Sequence, residues 1–518
     1  NLELRQQVGY WKSRHRDALN RVAALEQKVE QLEGQKRPLQ ADRFGRRSEA
    51  RPGNDRSNDL DDPQDDSQKP KRNRGQQPGN PGPKRRDYSH LPGREEFVEL
   101  PPEQSVCPCC GLPLQPLSDT EDSEPIEIEV SAYRRVIRRR RYRRTCTCNG
   151  PITLTAPPPP KLIPKGRYGI SVWVEVLRDK YFSYRPTGRL LASLRLLGLD
   201  RAPGTVNDGL KQLEVLLRPI YEALKKRNCQ GDLHQGDETR WRVFIALEGK
   251  QGSVWWLWVV LGRDPVIYLL EASRSHTVPE NPFRAESRGV LMVDRYSGYK
   301  AMIWVKDGVL VLAFCWAQVR RDFLRVGKGW PELKTWALEG LRRIRVLYRL
   351  NGDRLTVQKD AAAFGEADGR LRQAVTEMKT EMETELVRAD LATPCRKALE
   401  SLQGHWEGLT RFVDDPRIPR DNNASERRER GPAVARKNFY GSGSLWSGPQ
   451  AAALFSICAT LSLWKLNPRN WLTWYFEHCA AAGGQVPEDI QPFLPWNLDA
   501  AKRSELGEPG LPESDDTS

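Results

Sequence analysis

Five apolar stretches crowd the middle of this chain, and they constrain its fold more than any other feature. Arg240–Leu247, Ser253–Leu261 and Val266–Ala272 follow one another across short turns at Glu248–Gly252 and Gly262–Pro265, which predicts an antiparallel meander. Gly289–Asp294 and Val309–Trp316 add two further strands. Helical periodicity flanks them, over 168–226 on one side and over the Leu-, Arg- and Glu-rich 319–410 on the other. A polar, charged helix is expected after Pro419, and an apolar one at Ala451–Trp464. The expected class is a multidomain α+β protein, and 518 residues allow roughly three domains.

Outside this middle the chain changes character twice. Residues 1–34 carry a heptad: Leu4, Trp11, Ala18, Leu25 and Leu32 fall at one core position, with Val8, His15, Val22 and Val29 at the other. An unbroken 4–3 alternation predicts a coiled coil that joins copies of the chain, weakened where His15 enters the seam. From Ser48 to Leu91 apolar residues nearly vanish, an acidic stretch gives way to a basic one, and a Gly/Pro-rich segment follows. Such a stretch cannot bury enough surface to fold alone, so a disordered linker is expected. The last residues, from Glu505 onward, read the same way.

Charge narrows the partner. Lys and Arg number 82 against 68 Asp and Glu, a net charge of +14, which points to a polyanion. The longest apolar runs, Val254–Leu261 and Ala451–Trp464, fall short of the ~20 residues that cross a bilayer, so nucleic acid is expected before membrane. The chain opens on charged residues with neither a signal peptide nor an initiator Met, which points to a truncated or processed N-terminus.

Ten cysteines are too sparse for a disulfide scaffold, but five of them cluster. Cys107-Pro-Cys-Cys-Gly111 and Cys146-Thr-Cys148 form two close pairs, and Cys107, Cys110, Cys146 and Cys148 are the expected ligands of a tetrahedral Zn²⁺, with Cys109 as a spare. Cys229, Cys315, Cys395, Cys458 and Cys479 read as small buried hydrophobes. Between the pairs lie Arg134, Arg135, Arg138, Arg139, Arg140, Arg141, Arg143 and Arg144, without one acid among them. Like charges at this density repel unless a polyanion neutralises them, so the run is expected to contact the DNA backbone, as a strand leading into the second Cys pair.

Three carboxylates are candidates for chemistry. Asp237 begins the first strand of the meander, Asp294 ends the fourth, and Glu426 sits early in a helix within Asp421-Asn-Asn-Ala-Ser-Glu-Arg427. Acids held at strand ends and on a helix can hold two divalent ions and drive in-line attack on a phosphate. Arg427, Arg428, Arg430, Arg436 and Lys437 follow Glu426, and Arg427, Arg436 and Lys437 are taken as DNA contacts.

These motifs together resemble the DDE transposases of the insertion-sequence-66 type over nearly the whole chain. The matching pieces are Phe44-Gly-Arg-Arg-Ser-Glu49, Gly75-Gln-Gln-Pro-Gly79, the two Cys pairs, Leu162-Ile-Pro-Lys165, Asp237-Glu-Thr239 and Asp294 to Tyr299. Cys315-Trp-Ala-Gln-Val-Arg-Arg-Asp-Phe323, Asp421 to Arg427, Arg436-Lys-Asn438 and Leu494-Pro-Trp-Asn497 complete the set. The resemblance implies a ribonuclease-H-like catalytic core, with Asp237, Asp294 and Glu426 as a triad for Mg²⁺ or Mn²⁺ and 319–410 as a helical insertion. It also implies binding of terminal repeats and target DNA, cleavage with 3′-hydroxyl strand transfer, and element-encoded accessory proteins. A prokaryotic, cytoplasmic, nucleoid-associated place goes with that reading. Two positions depart from the family: Arg295 stands where Gly usually follows the second Asp, and Gln318 where His usually follows Cys-Trp-Ala. With them stand two other readings, a structure-selective nuclease on the same core and a catalytically inactive, zinc-containing DNA-binding protein derived from a transposase.

The expected division is a coiled-coil helix at 1–47, a linker at 48–92, a zinc-binding unit with the Arg-rich strand at 93–150 and a helical DNA-binding or docking region at 151–230. The catalytic core follows at 231–465, then a helical tail with a disordered end at 466–518.

Overall fold

The five apolar stretches form one mixed sheet. The computed structural model describes residues 149–508 apart from 246–252 and 285–286, with scattered residues between 8 and 29 and parts of 92–146. A small hairpin comes first, β1 (Arg141–Arg143) pairing antiparallel with β2 (Thr153–Thr155). The main sheet holds β3 (Leu233–Arg242), β4 (Val254–Leu261), β5 (Val266–Glu271), β6 (Gly289–Val293) and β7 (Leu310–Phe314) in the order β5-β4-β3-β6-β7. β3 to β5 form the antiparallel meander, while β6 runs parallel to β3 and β7 parallel to β6.

Both faces of the sheet are covered, which is why β4 and β5 read as continuous apolar runs. Leu257, Val259, Leu261, Val266, Tyr268 and Leu270 enter one core, while Trp258, Val260, Ile267 and Leu269 enter the other, the period of two expected of a strand. The first core is built with the Ile170–Leu177, Pro203–Cys229, Ser447–Leu463 and Pro468–Ala481 helices. The second is closed by the Trp316–Gly329, Lys334–Thr356, Ala361–Leu386, Thr393–Gln403 and Trp406–Asp414 helices, which fill most of the 319–410 stretch between β7 and the last acidic motif.

The edges of the sheet are also occupied. The Ser447–Leu463 helix is apolar nearly all round and lies against β5, where Ser456 Oγ accepts from the Tyr268 amide at 2.8 Å and Thr460 Oγ1 from the Val266 amide at 3.0 Å. At the far edge, Arg411 Nε donates to the Leu312 carbonyl of β7 at 3.1 Å. Next to β3, Gly441 at φ 145° brings the returning chain close enough for the Ser442 amide to donate to the Arg242 carbonyl at 2.8 Å. A Cβ at that position would stand 2.1 Å from the same oxygen.

Three boundaries differ from expectation. β3 starts at Leu233 rather than Arg240, so Asp237 lies inside the strand; Leu-His-Gln-Gly-Asp has no apolar alternation, and pairing on both sides makes it a strand. Among the described residues the arginine run is a strand only at Arg141–Arg143, the stretch that β2 pairs with. Glu505 belongs to the Ala500–Leu506 helix, where Leu506 is buried and its carbonyl accepts from the Asn467 amide at 2.8 Å, so order runs further than expected. The described residues between Val8 and Val29 are helical, and Val8, Trp11, Val22, Leu25 and Val29 are exposed. The stretch 48–91 lies outside the described residues. Among the described residues no helix is long and apolar enough to cross a membrane.

Candidate active site

The parallel pairing of β3 with β6 positions the first two carboxylates. Leu233 faces Val290 and Gln235 faces Met292, and the same register two residues on brings Asp237 level with Asp294, just beyond the end of β6. Residues level on neighbouring strands point to the same face, with strands about 4.8 Å apart. Asp294 Oδ1 accepts from the Tyr296 amide at 2.9 Å, and Asp237 Oδ1 from the Glu238 amide at 3.0 Å, so each carboxylate is oriented by its own backbone.

Glu426 comes to this end of the sheet through Asn422. That side chain is buried and donates to the Gly236 carbonyl at 2.7 Å, one residue from Asp237, while its backbone amide lies 3.3 Å from Cys315 Sγ at the end of β7. The Asn422 carbonyl accepts from the Glu426 amide at 3.1 Å, within the start of the Asn423–Phe439 helix. One asparagine thus ties the helix to β3 and β7 together. Arg321, from the Trp316–Gly329 helix, donates to both oxygens of Glu426 at 3.3 and 3.0 Å.

Two further acids belong to the cluster, and the sequence reading missed both. Glu238 has a side chain only 2% exposed, yet it is fully partnered: Arg274 donates to Oε1 from Nε at 3.0 Å, and the Tyr299 hydroxyl to Oε2 at 2.8 Å. Arg274 in turn lies over the rings of Tyr296 and Trp256, at 3.8 and 4.7 Å from their centroids. The signal for Glu238 was the Asp237-Glu238 pair itself, two adjacent acids within the Asp237-Glu-Thr239 motif. Glu429, one helical turn after Glu426, has a buried Oε1 with no hydrogen-bond partner.

The electrostatics follow from this crowding. Burial pushes Asp237 up to about 7, with repulsion from Glu238, Asp294 and Glu426 adding to it. Glu429 is pushed up to about 10, by burial first and then by Asp237 and Glu238. Burial also raises Glu238, and the hydrogen bonds from Arg274 and Tyr299 offset only part of that. Hard carboxylate oxygens that repel one another suit a divalent cation. Still, among the described residues no three His, Cys, Asp or Glu side chains stand close enough to make a finished metal site. Asp237, Asp294 and Glu426 share a field without closing to ligand distance, and Glu426 is turned to Arg321.

Of the other candidate residues, Arg436 borders this cluster, facing Glu429. Cys110 and Cys146 are exposed in the 93–150 stretch, while Cys107 and Cys148 lie outside the described residues, as does Arg144. Arg134, Arg135, Arg138, Arg139, Arg140, Arg141 and Arg143 are exposed, and Arg139 donates to the Ala156 carbonyl at 2.6 Å. Arg427 and Lys437 are exposed on the Asn423–Phe439 helix, whereas Arg436 turns inward to Thr239 Oγ1 at 3.1 Å and the Arg240 carbonyl. Arg295 points away from the carboxylates, into a pocket where it donates to Asp322 and, at 2.7 Å, to Ser401. Among the described cysteines Cys315, Cys395, Cys458 and Cys479 are buried, while Cys229, expected to be buried too, is partly exposed.

A family model described as transposase IS66 family matches residues 165–450, which takes in the sheet, the carboxylates and the intervening helices. Three proteins of Sinorhizobium fredii (strain NBRC 101917 / NGR234), each described as uncharacterized, are similar along most of their length. Protein y4jD is 28% identical over 79% of this chain and 81% of its own. Protein y4hP is 25% identical over 78% and 75%, and y4qI 26% identical over 81% and 78%. Among solved structures, a chain of the Drosophila P element transposase strand transfer complex matches at a TM-score of 0.31 and 10% identity, over 56% of this chain and 91% of that one.

Proposed function

The chain belongs to the IS66 family of transposases, and from that premise we propose that it is a DDE enzyme that binds the terminal repeats of its element, cuts the DNA and joins the freed 3′-hydroxyl to target DNA. The reading takes the five-stranded mixed sheet as a ribonuclease-H-like core and Asp237, Asp294 and Glu426 as its metal-binding triad. The observation that carries it is the convergence of those carboxylates on one end of the sheet, two through the β3–β6 register and the third through Asn422.

Bound there, Mg²⁺ or Mn²⁺ would supply activation of the attacking oxygen and neutralisation of the leaving one. The protein's own contribution is positional. Asn422 fixes the helix that carries Glu426 against β3. Arg274 and Tyr299 hold Glu238 out of the reacting set, so Asp237 alone of that pair faces the phosphate. Arg321 neutralises Glu426 and sits where a DNA phosphate would pass.

The same reading assigns Zn²⁺ to Cys107, Cys110, Cys146 and Cys148, and the DNA backbone to the run Arg134–Arg144 with Arg427 and Lys437; Arg436, turned to β3, is left to brace the helix that carries them. Two DNA ends must be held together for joining, and the exposed apolar side chains of the N-terminal helix suit a second copy of the chain as the bridge. Accessory proteins of the element are expected partners. The inactive DNA-binding reading leaned on Arg295, whose guanidinium is taken up by Asp322 and Ser401.

The test is cleavage and strand transfer of end-containing DNA with Mg²⁺ or Mn²⁺, comparing the native chain with Asp294→Ala. Joined products that fall by at least about a thousandfold in the variant are expected, the scale on which loss of a group acting directly in catalysis is felt. Binding without cutting, equal in both and unchanged by the element's accessory proteins, would favour the DNA-binding protein; cutting without joining would favour the nuclease.

A further inference from the structure

A cleft of about 430 Å³ opens between the Trp316–Gly329 and Lys334–Thr356 helices, beside the start of the Asn423–Phe439 helix. Its walls are of two kinds. Leu338, Leu341, Ile344 and Tyr348 recur on one face of the Lys334–Thr356 helix and make the cleft apolar within. Arg342 and Arg345 from the same helix, with Arg320 and Arg321 from the facing one, line its rim with exposed guanidinium groups. Arg342 is held by Glu339 at 2.7 Å and Arg321 by Glu426 at 3.0 Å, so a phosphate arriving there would share or exchange these pairs.

The acid lining the cleft, Asp421, is already engaged by the Tyr348 hydroxyl at 3.2 Å and the Asn423 amide at 3.1 Å. Arg420 covers one face of the Tyr348 ring, at 4.3 Å from the centroid. Arg321 belongs both to this rim and to Glu426, so the cleft begins where the carboxylate cluster ends.

We propose that this cleft receives one unpaired nucleotide of the DNA strand that passes Glu426. The inference rests on the DNA reading given above and adds a site to it. Guanidinium groups fork onto phosphate oxygens and lie flat against bases, and an apolar slot between them takes a base once it leaves the stack. The volume falls within the ~300–1,000 Å³ of small-molecule sites, so it suits one nucleotide and excludes a duplex. A free acidic peptide or a lipid headgroup would find no reason to sit next to Glu426; a strand being cut there has to continue somewhere.

The experiment uses the full chain with EDTA present, so that binding is read apart from chemistry. Fluorescence anisotropy of labelled oligothymidylate is compared with that of a blunt duplex, for the native chain, Leu341→Trp and Arg345→Ala. Leu341→Trp fills the cleft; Arg345→Ala removes an exposed rim charge, and the melting temperature of each variant is checked against the native chain so that a loss of folding is read apart from a loss of binding. Both are expected to weaken single-strand binding by about tenfold, the loss of one stacked base, and to leave duplex binding within about twofold. Equal losses on both DNAs, or none on either, would overturn the cleft while leaving the transposase reading in place. Displacement of the oligonucleotide by free thymidine monophosphate at equal base concentration would also overturn it, making the cleft a free-nucleotide pocket. A native chain that bound neither DNA would bring down both readings.

Discussion

Arginine serves opposite purposes in two parts of this molecule. Arg354 is 0% exposed and donates to Asp368 at 2.6 Å, to Asn351 at 2.7 Å, and to the carbonyls of Phe412 and Val413 at 2.7 and 2.8 Å. It thereby pins three helices of the 319–410 region around one cation. Arg134–Arg143 are exposed, and no ion pair joins them to a described carboxylate. The carboxylates repeat the contrast. Glu238 has Arg274 and Tyr299; Asp237, its neighbour in sequence, has three like charges instead. A charge satisfied within the fold is architecture. One left unsatisfied, or set among its own kind, marks where a partner of opposite sign belongs.

The largest break of this contrast should come at Arg354. Arg354→Ala leaves the Phe412 carbonyl and Asn351 without this donor, while Arg372 stays on the Val413 carbonyl and Asp368, so the cost is expected at the lower end of the about 3–5 kcal/mol for removing one side of a buried pair. Urea denaturation should show that loss, with DNA binding per folded molecule unchanged. A cost near zero would mean that the helices hold themselves together without it.

Asp237 should respond in the opposite direction. In the unfolded chain it ionises near the ordinary 3.8, but in the fold only near 7. Its contribution to stability is therefore intact below about pH 4, drains as pH rises towards 7, and stays lost above that. With EDTA present near pH 8, Asp237→Asn is expected to be more stable than the native chain by roughly 2–4 kcal/mol, from about 1.4 kcal/mol per pKa unit. The gap should close towards pH 4. A variant no more stable at pH 8 would show that Asp237 is neither stripped of water nor crowded by like charges in the fold.

The arginine run should give the smallest change in stability and still alter function. Replacing Arg138, Arg139, Arg140 and Arg141 together by Gln is expected to shift unfolding free energy by no more than about 0.5 kcal/mol. The same change should lower the slope of log affinity for DNA against log salt by roughly 2–4, at about 0.9 per lost phosphate contact. An unchanged slope would make the run a solvated surface.

How much of this could be read beforehand differs from element to element. The strands of β4 and β5 were legible because burial on both faces makes them apolar throughout, up to Glu271 at the end of β5. The start of β3 was hidden, since Leu233–Asp237 is held by ladders on both sides rather than by its side chains. Asp237, Asp294 and Glu426 stood out through their motifs, but nothing local told that Asn422 is the residue that moors Glu426, because its partner Gly236 lies far away along the chain. Glu238 and Glu429 were missed for a related reason. Their roles depend on Arg274, Tyr299 and Asp237, contacts that only the folded chain makes. Arg436 read as a surface cation and turned out to brace the helix against β3.

The occupied rims of the sheet carry a consequence for how copies of the chain can meet. With Ser456 and Thr460 on the amides of β5 and Arg411 on a carbonyl of β7, each outer strand has backbone groups already taken by side chains, which a stranger's strand would have to displace in order to pair there. Crowding many such molecules onto one stretch of DNA therefore does not invite them to zip together into fibrils. Any meeting of copies would then fall to side-chain surfaces, which can be undone one contact at a time.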